Sequence, residues 1–360
     1  MSREELLGVR RLFDGRRLEH ARELKGLLKS ELAEALGLSP AAIGQFESGA
    51  SRPNTGTIIQ LASALEVMPE FFVAGRPQID LAETSVHFRS LRSTAKRERT
   101  QARAQVRLLA ELVEVLSHKV RLPAVNLPSY PLDTDPEAAA NDIRRLWGLG
   151  DKPVSDVVRL LETHGIVVVR LEAASEDLDA FSCWVTSDRP FVILTSNKDA
   201  ADRSRFDAAH ELYHLLAHKA AVPGDRQLEL DAHRFAAALL MPAAPIRSEL
   251  PRRLAWTQIA ELKLRWGVSM AALVHRAHEL GMLTDMSYRR AMMDMTRRKW
   301  RKTEPISLGD PERPMLLTKA MEIAGYAGLD QIASELAVSP SGLDPFRAAL
   351  QRSSLPELAL

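Results

Sequence analysis

Residues 206–216 run Phe-Asp-Ala-Ala-His-Glu-Leu-Tyr-His-Leu-Leu, and the His-Glu-x-x-His inside them restricts the chain's fold and chemistry more than any other stretch. On an α-helix, residues four apart project from nearly the same face about 6 Å apart, so His210 and His214 can grip one metal ion with their imidazoles. Glu211 sits one position round the helix. From there it can reach a metal-bound water and take its proton, the general-base role in zinc hydrolases. The same residues also occur as a plain solvated helix face. Catalysis needs a third protein ligand and an open coordination position.

Residues 228–242, Leu-Glu-Leu-Asp-Ala-His-Arg-Phe-Ala-Ala-Ala-Leu-Leu-Met-Pro, form a second amphipathic helix in which Glu229, Asp231 and His233 compete as that ligand. Leu228, Ala232, Phe235, Ala236, Leu239 and Leu240 define the buried stripe. At about 100° per residue, Glu229 falls roughly 60° from its centre, and Asp231 and His233 roughly 100° away on opposite sides. Glu229 is therefore best placed to point at the ion. His233, one turn on, suits a group that orients a ligand. His218 lies roughly 12 Å along the axis from His210, which excludes it.

These residues resemble the ImmA/IrrE-type metallopeptidase family, whose hallmark is Arg-x-Arg-Phe-x-x-Ala-His-Glu-x-x-His followed by Glu-x-x-Ala-x-x-Phe-Ala-x-x-Leu-Leu-Met-Pro. Arg203, Arg205, Phe206, Ala209, His210, Glu211, His214, Glu229, Ala232, Phe235, Ala236, Leu239, Leu240, Met241 and Pro242 all match it. Tyr213 stands where glycine is usual and His233 where asparagine or aspartate is usual; neither is an expected ligand. The resemblance implies a gluzincin-like endopeptidase that binds Zn²⁺ and makes limited cuts in a repressor or other regulatory protein, often in stress responses or mobile elements.

From Arg16 to about Gly75 the pattern is a run of short helices. Ala33 permits a close helix crossing, Gly37 ends one helix, Ser39 caps the next, and Pro40 fits its first turn. The stretch resembles the helix-turn-helix domain of the XRE, or phage-repressor-like, family, including Phe46-Glu47-Ser48-Gly49 and Arg52-Pro53 after the recognition helix. In such a five-helix bundle the exposed start of the recognition helix meets base edges, making Ala41, Ala42 and Gln45 the readers. Ser51, Arg52, Asn54 and Thr55 are expected phosphate contacts, together with Ser39 and with Lys29, which stands where glutamine often touches phosphate.

Arg89 to Arg107 is a basic stretch leading into an apolar stripe that ends at Val120, which predicts a long connecting helix; the prolines of 122–131 then stop it. Helices are expected over 136–149 and 154–164, and strands over 165–171, 180–185 and 191–194, a small sheet beside the metal helix. An edge strand there could bind an extended peptide by backbone pairing. Residues 262–273 and 331–343 look like further helix pairs, expected to pack around the peptidase core. The fold class is mainly α with a small β-sheet. Its divisions are 1–80 (helix-turn-helix), 81–131 (connecting helix and linker), 132–250 (peptidase core) and 251–360 (helical C-terminal region).

A net charge of +1 over 360 residues gives no global pull toward nucleic acid, so the DNA expectation rests on the helix-turn-helix pattern alone. No apolar run reaches membrane-spanning length, and the charged N-terminus lacks an apolar signal segment. Cys183 is the only cysteine. It suits packing in a strand and a reducing cytoplasm, the expected location. The partners expected are operator DNA, a protein substrate and, as a homodimer, a second copy of the chain. The competing reading is a transcription factor whose peptidase-like domain senses a metal, ligand or partner without turnover.

Overall fold

The computed structural model describes residues 2–75, 86–87, 96–171, 180–186, 189–195, 200–217 and 226–350. The first helices are α1 (Arg3–Arg11), α2 (Gly15–Leu24), α3 (Lys29–Leu36), α4 (Pro40–Glu47) and α5 (Thr55–Leu65), followed by a 3₁₀ turn at Pro69–Phe72. α1 lies outside the helical run expected from residue 16. A capping box between Ser2 and Glu5 starts it, but Val9 is its only buried residue, so it carries little hydrophobic signal. Gly37 ends α3 at φ +65°, and the Ser39 hydroxyl accepts from Ala42 N at 3.2 Å to start α4. Gly15 is held by a close approach: a Cβ there would sit 2.2 Å from the Phe46 carbonyl oxygen, so α2 meets the end of α4 backbone to backbone.

The two-residue strand β1 (Val86–His87) is followed by the connecting helix α6 (Lys96–Ser117). The first half of the basic stretch, with Arg89 and Arg92, lies outside the described residues. Next come α7 (Pro136–Leu146), α8 (Val157–Thr163), β2 (Val167–Leu171), β3 (Phe181–Thr186), β4 (Arg189–Thr195), α9 (Ala201–Ala217) and α10 (Arg226–Leu240). The chain continues with α11 (Ala243–Glu249), α12 (Trp256–Trp266), α13 (Met270–Glu279), α14 (Asp285–Arg297), α15 (Leu316–Ile323) and α16 (Leu329–Leu336). It closes with a 3₁₀ stretch (Pro340–Phe346) and α17 (Arg347–Leu350). Among the described residues no helix is long and apolar enough to cross a membrane.

The sheet has the order β1-β3-β4-β2, with β2 parallel to β4 and the other pairs antiparallel. Both its faces are covered, and alternation along each strand divides the work. Val167, Val169, Phe181, Cys183, Phe191 and Ile193 join a core with α6, the N-terminal helices and the C-terminal segment. Val168, Val192 and Leu194 join the other core, built from α7 to α14. The 262–273 pair packs in that second core as expected. The 331–343 segment does not: Ile332, Leu336, Val338 and Leu343 pack in the first core, and Met68 N donates to the Ala337 carbonyl at 2.8 Å. The expected second helix of that pair is the 3₁₀ stretch, which contains Pro345.

The N-terminal helices meet α6 through buried charge. Arg17, 2% exposed, gives both terminal nitrogens to Glu111, its Nε to the Phe71 carbonyl at 3.0 Å, and its guanidinium face to the Phe71 ring. Beside it, His20 Nε2 lies 2.9 Å from the Ala104 carbonyl. Burial, reinforced by Arg17, pushes the His20 pKa down to about 3, so the ring is neutral.

Candidate metal centre

The helix α9 lies against β3 and β4, and α10 packs beside it. Its N-terminal end is clamped by Arg205, which donates to the Gly267 carbonyl (2.9 Å), to the carbonyls of Val154 and Ser155, and to Glu312. Gly267 lies at φ +65°, and a Cβ there would meet the Arg205 Nε at 2.8 Å, so only glycine lets the clamp close. The motif arginine is therefore a strut for the metal helix.

Within α9, His210, Glu211 and His214 are 5%, 3% and 1% exposed and form a group able to hold a metal ion. His210 Nε2 and His214 Nε2 stand 3.1 Å apart. Glu229, from α10, places Oε2 3.2 Å from His210 Nε2 and Oε1 3.6 Å from His214 Nε2. With metal–nitrogen bonds of about 2.0–2.1 Å, the corners of a tetrahedron are about 3.3–3.4 Å apart, so the three separations fit one small ion. Two imidazoles and a carboxylate are a donor set that a divalent transition-metal ion takes.

The competing candidates are turned elsewhere. Asp231 accepts from Gln227 Nε2 at 3.0 Å and lies 3.9 Å from Arg234. His233 Nδ1 is 3.0 Å from the Glu229 carbonyl, and its ring stands edge-on to His210 at 4.7 Å between centroids, where it limits that imidazole's rotation. His218 lies outside the described residues. Tyr213 is buried against Phe235, 5.1 Å between centroids.

Ser182, on β3, was invisible to motif reading. It is fully buried, and its hydroxyl donates to Glu211 Oε2 at 2.7 Å. A lone serine in a strand carries no signal of its own; only the pairing of β3 with the metal helix reveals it. Its neighbour Cys183 points to the other core. Burial, with Glu211 adding to it, pushes the Cys183 thiol up to about 12, so it packs as a protonated side chain.

Two stretches of the chain match known families. Residues 18–72 match the model described as Helix-turn-helix, and residues 161–278 match the IrrE N-terminal-like domain of the M78 peptidases. The chain joins an XRE-type helix-turn-helix domain to an IrrE/ImmA-like domain. The second match suggests a metallopeptidase. An uncharacterized HTH-type transcriptional regulator, y4aM, of Sinorhizobium fredii (strain NBRC 101917 / NGR234) is 30% identical over 66 residues, 18% of this chain and 46% of the relative. The SPbeta prophage-derived uncharacterized HTH-type transcriptional regulator YonR of Bacillus subtilis (strain 168) is 33% identical over 70 residues, 19% of this chain and 65% of the relative. The chain thus spans between about half and two thirds of the length of these curated relatives.

On the helix-turn-helix domain, Ala41 in the first turn of α4 and Gln45 one turn on are exposed, and Ala42 is half-buried. Ser39 and Asn54 spend a side-chain oxygen capping α4 and α5. Ser51 and Thr55 are half-buried. Exposed Arg52 donates to the Arg11 carbonyl at 2.8 Å, and Lys29 Nζ sits 2.9 Å from Glu47 Oε2, a carboxylate also held by Arg22.

Proposed function

We propose that the chain is a DNA-binding transcriptional regulator with zinc-dependent endopeptidase activity, making limited cuts in a repressor or other regulatory protein. The observation that carries this reading is the convergence of His210 Nε2, His214 Nε2 and the Glu229 carboxylate on one point. Zn²⁺ held by those three residues supplies a Lewis acid for a peptide carbonyl and a water made acidic enough to deprotonate near neutral pH. With the ion held there, Glu211 would accept a proton from the attacking water as its oxygen bonds to the peptide carbonyl carbon, and would pass that proton to the departing nitrogen as the C–N bond breaks, leaving a carboxylate and an amine. Ser182 fixes the carboxylate for this, and His233 braces the His210 ring. A substrate peptide adds to β3 by backbone pairing. Because β1 already pairs with β3 at Ser182 and Cys183, a substrate strand pairs beyond that stretch or displaces β1.

In the same reading, Ala41, Ala42 and Gln45 read bases, and Lys29, Ser39, Ser51, Arg52, Asn54 and Thr55 hold phosphates. A metal sensor without turnover would share the ligands but has no use for a buried serine holding Glu211; that contact favours the enzyme. The experiment is metal analysis of the purified full chain, followed by its incubation with candidate repressors. Cleavage that depends on Glu211 supports the enzyme. Stoichiometric zinc with no cleavage of any candidate supports the sensor.

A further inference from the structure

A cavity of about 730 Å³ opens between the segment before α12 and the helix α14. That volume lies within the range of about 300–1,000 Å³ usual for small-molecule sites. Its lining includes four arginines, Arg252, Arg253, Arg290 and Arg297, and one acid, Asp294, so the fixed charges there sum to +3. Arg252, Arg253 and Arg290 have no ion-pair or hydrogen-bond partner among the described residues. Arg290 and Arg297 lie seven residues apart on one face of α14, about 10 Å along its axis. The positive charge is thus drawn out over a length that one carboxylate cannot span.

The single acid is already engaged. Asp294 takes Arg297 at 2.5 Å and Arg298 at 2.9 Å, and it accepts from the Trp256 indole Nε1 at 2.9 Å. These bonds, that to Arg297 first, hold its carboxyl below the usual range, so it stays charged and fixes Trp256 in the cavity wall. Trp256 is braced a second time by Trp300, edge-on with centroids 5.4 Å apart. Met293 of α14, 65% exposed, also lines the cavity. At the near end the cavity reaches the start of α14, where Thr284 caps the helix and its hydroxyl lies 3.1 Å from that of Ser287. The helix dipole favours an anion there. Asp285 in that first turn lies 2.8 Å from His278 Nε2 and does not line the cavity.

Unneutralised arginines beside a fixed indole and an exposed thioether fit a ligand with a multiply charged anionic end and a flat apolar body. We propose that this cavity binds a nucleotide carrying two or more phosphates, with the phosphates on Arg252, Arg253 and Arg290 and the base against Trp256 and Met293. Binding there needs neither zinc nor Glu211, so it stands or falls apart from the peptidase reading. It would give a regulator of this composition an entry point for a metabolic signal.

The test is titration of the full chain with ATP and GTP, followed by calorimetry and tryptophan fluorescence, with pyrophosphate, adenosine and random duplex DNA as further probes. The expected result is saturable nucleotide binding at micromolar concentrations that quenches fluorescence. Arg253→Ala with Arg290→Ala should weaken it by about 10-fold or more, the scale of a lost charge-assisted contact. Trp256→Phe should remove most of the quench while leaving the chain folded. Pyrophosphate should bind more weakly than ATP, and adenosine negligibly. Three results would each overturn the proposal: no nucleotide binding below millimolar concentration, nucleotide binding unchanged in the double arginine variant, or pyrophosphate binding as tightly as ATP. If the arginine variant weakens DNA binding while nucleotides fail to bind, the cavity is a DNA phosphate contact instead.

Discussion

The seam between the helix-turn-helix domain and α6 and the centre formed by α9 and α10 both bury polar groups, but they bury them differently. In the seam, donors meet acceptors: Arg17 faces Glu111 and Arg107 faces Glu23, each pair across α2 and α6. In the centre, two imidazole nitrogens face each other at 3.1 Å with a carboxylate alongside, an arrangement of bases gathered round a point. Buried pairs that satisfy each other build a joint, whereas buried bases that converge call for a cation. The sheet keeps the two apart, since alternate residues of β2, β3 and β4 serve one core or the other.

The strongest way to break this contrast is at the centre. Glu229→Ala should lower zinc affinity by more than about 100-fold, since even groups behind a ligand are worth about 10–100-fold. Cleavage should vanish with it, while urea unfolding of the helix-turn-helix domain stays the same. Full zinc occupancy in that variant, measured by metal analysis, would show that Glu229 is not the third ligand. At the seam the expected loss is stability. Glu111→Ala strands a guanidinium that is only 2% exposed and should cost about 3–5 kcal/mol in chemical denaturation, with zinc content unchanged. A cost below about 1 kcal/mol would mean that Arg17 finds water or another acceptor.

Much of the centre was legible because its information is local. His210, Glu211 and His214 share one helix turn, and Glu229 follows from the apolar stripe of the next helix. Ser182 was not, because it reaches Glu211 only through the packing of β3 on α9, 29 residues away in sequence. The Arg17–Glu111 seam was equally hidden, its partners 94 residues apart on helices that look like ordinary charged surfaces. The C-terminal segment was misjudged for the same reason. An amphipathic helix declares which face it buries but not against what, and 331–343 buries its face in the α6 core.

Smaller effects sharpen the comparison. Ser182→Ala should keep the metal and slow cleavage by about 10-fold, the worth of one hydrogen bond to a carboxylate. An unchanged rate would reduce Ser182 to packing. Acid and base should also strain different joints. His20, held neutral with its pKa pushed down to about 3, favours folding above the ordinary histidine range; that contribution is lost as pH falls from about 6.5 toward 3. Glu162, whose carboxylate accepts from the Met315 and Leu316 backbone at the start of α15, is raised by burial to about 7. Its contribution is present below about 4.5 and lost as pH rises toward 7. His20→Gln should flatten the acid limb of a stability–pH curve and Glu162→Gln the neutral limb. Curves that match the unmodified protein would remove these groups from the account.

The central claim is that a metal-dependent peptidase and a DNA reader share this chain while standing on separate cores. Its most direct test is Glu211→Gln, assayed in one preparation for zinc, for cleavage of a repressor cut by the unmodified chain, and for operator binding. The account predicts zinc retained, cleavage reduced about 100-fold or more, and operator binding unchanged. Cleavage at the unmodified rate, or loss of the metal with the glutamate, would contradict it.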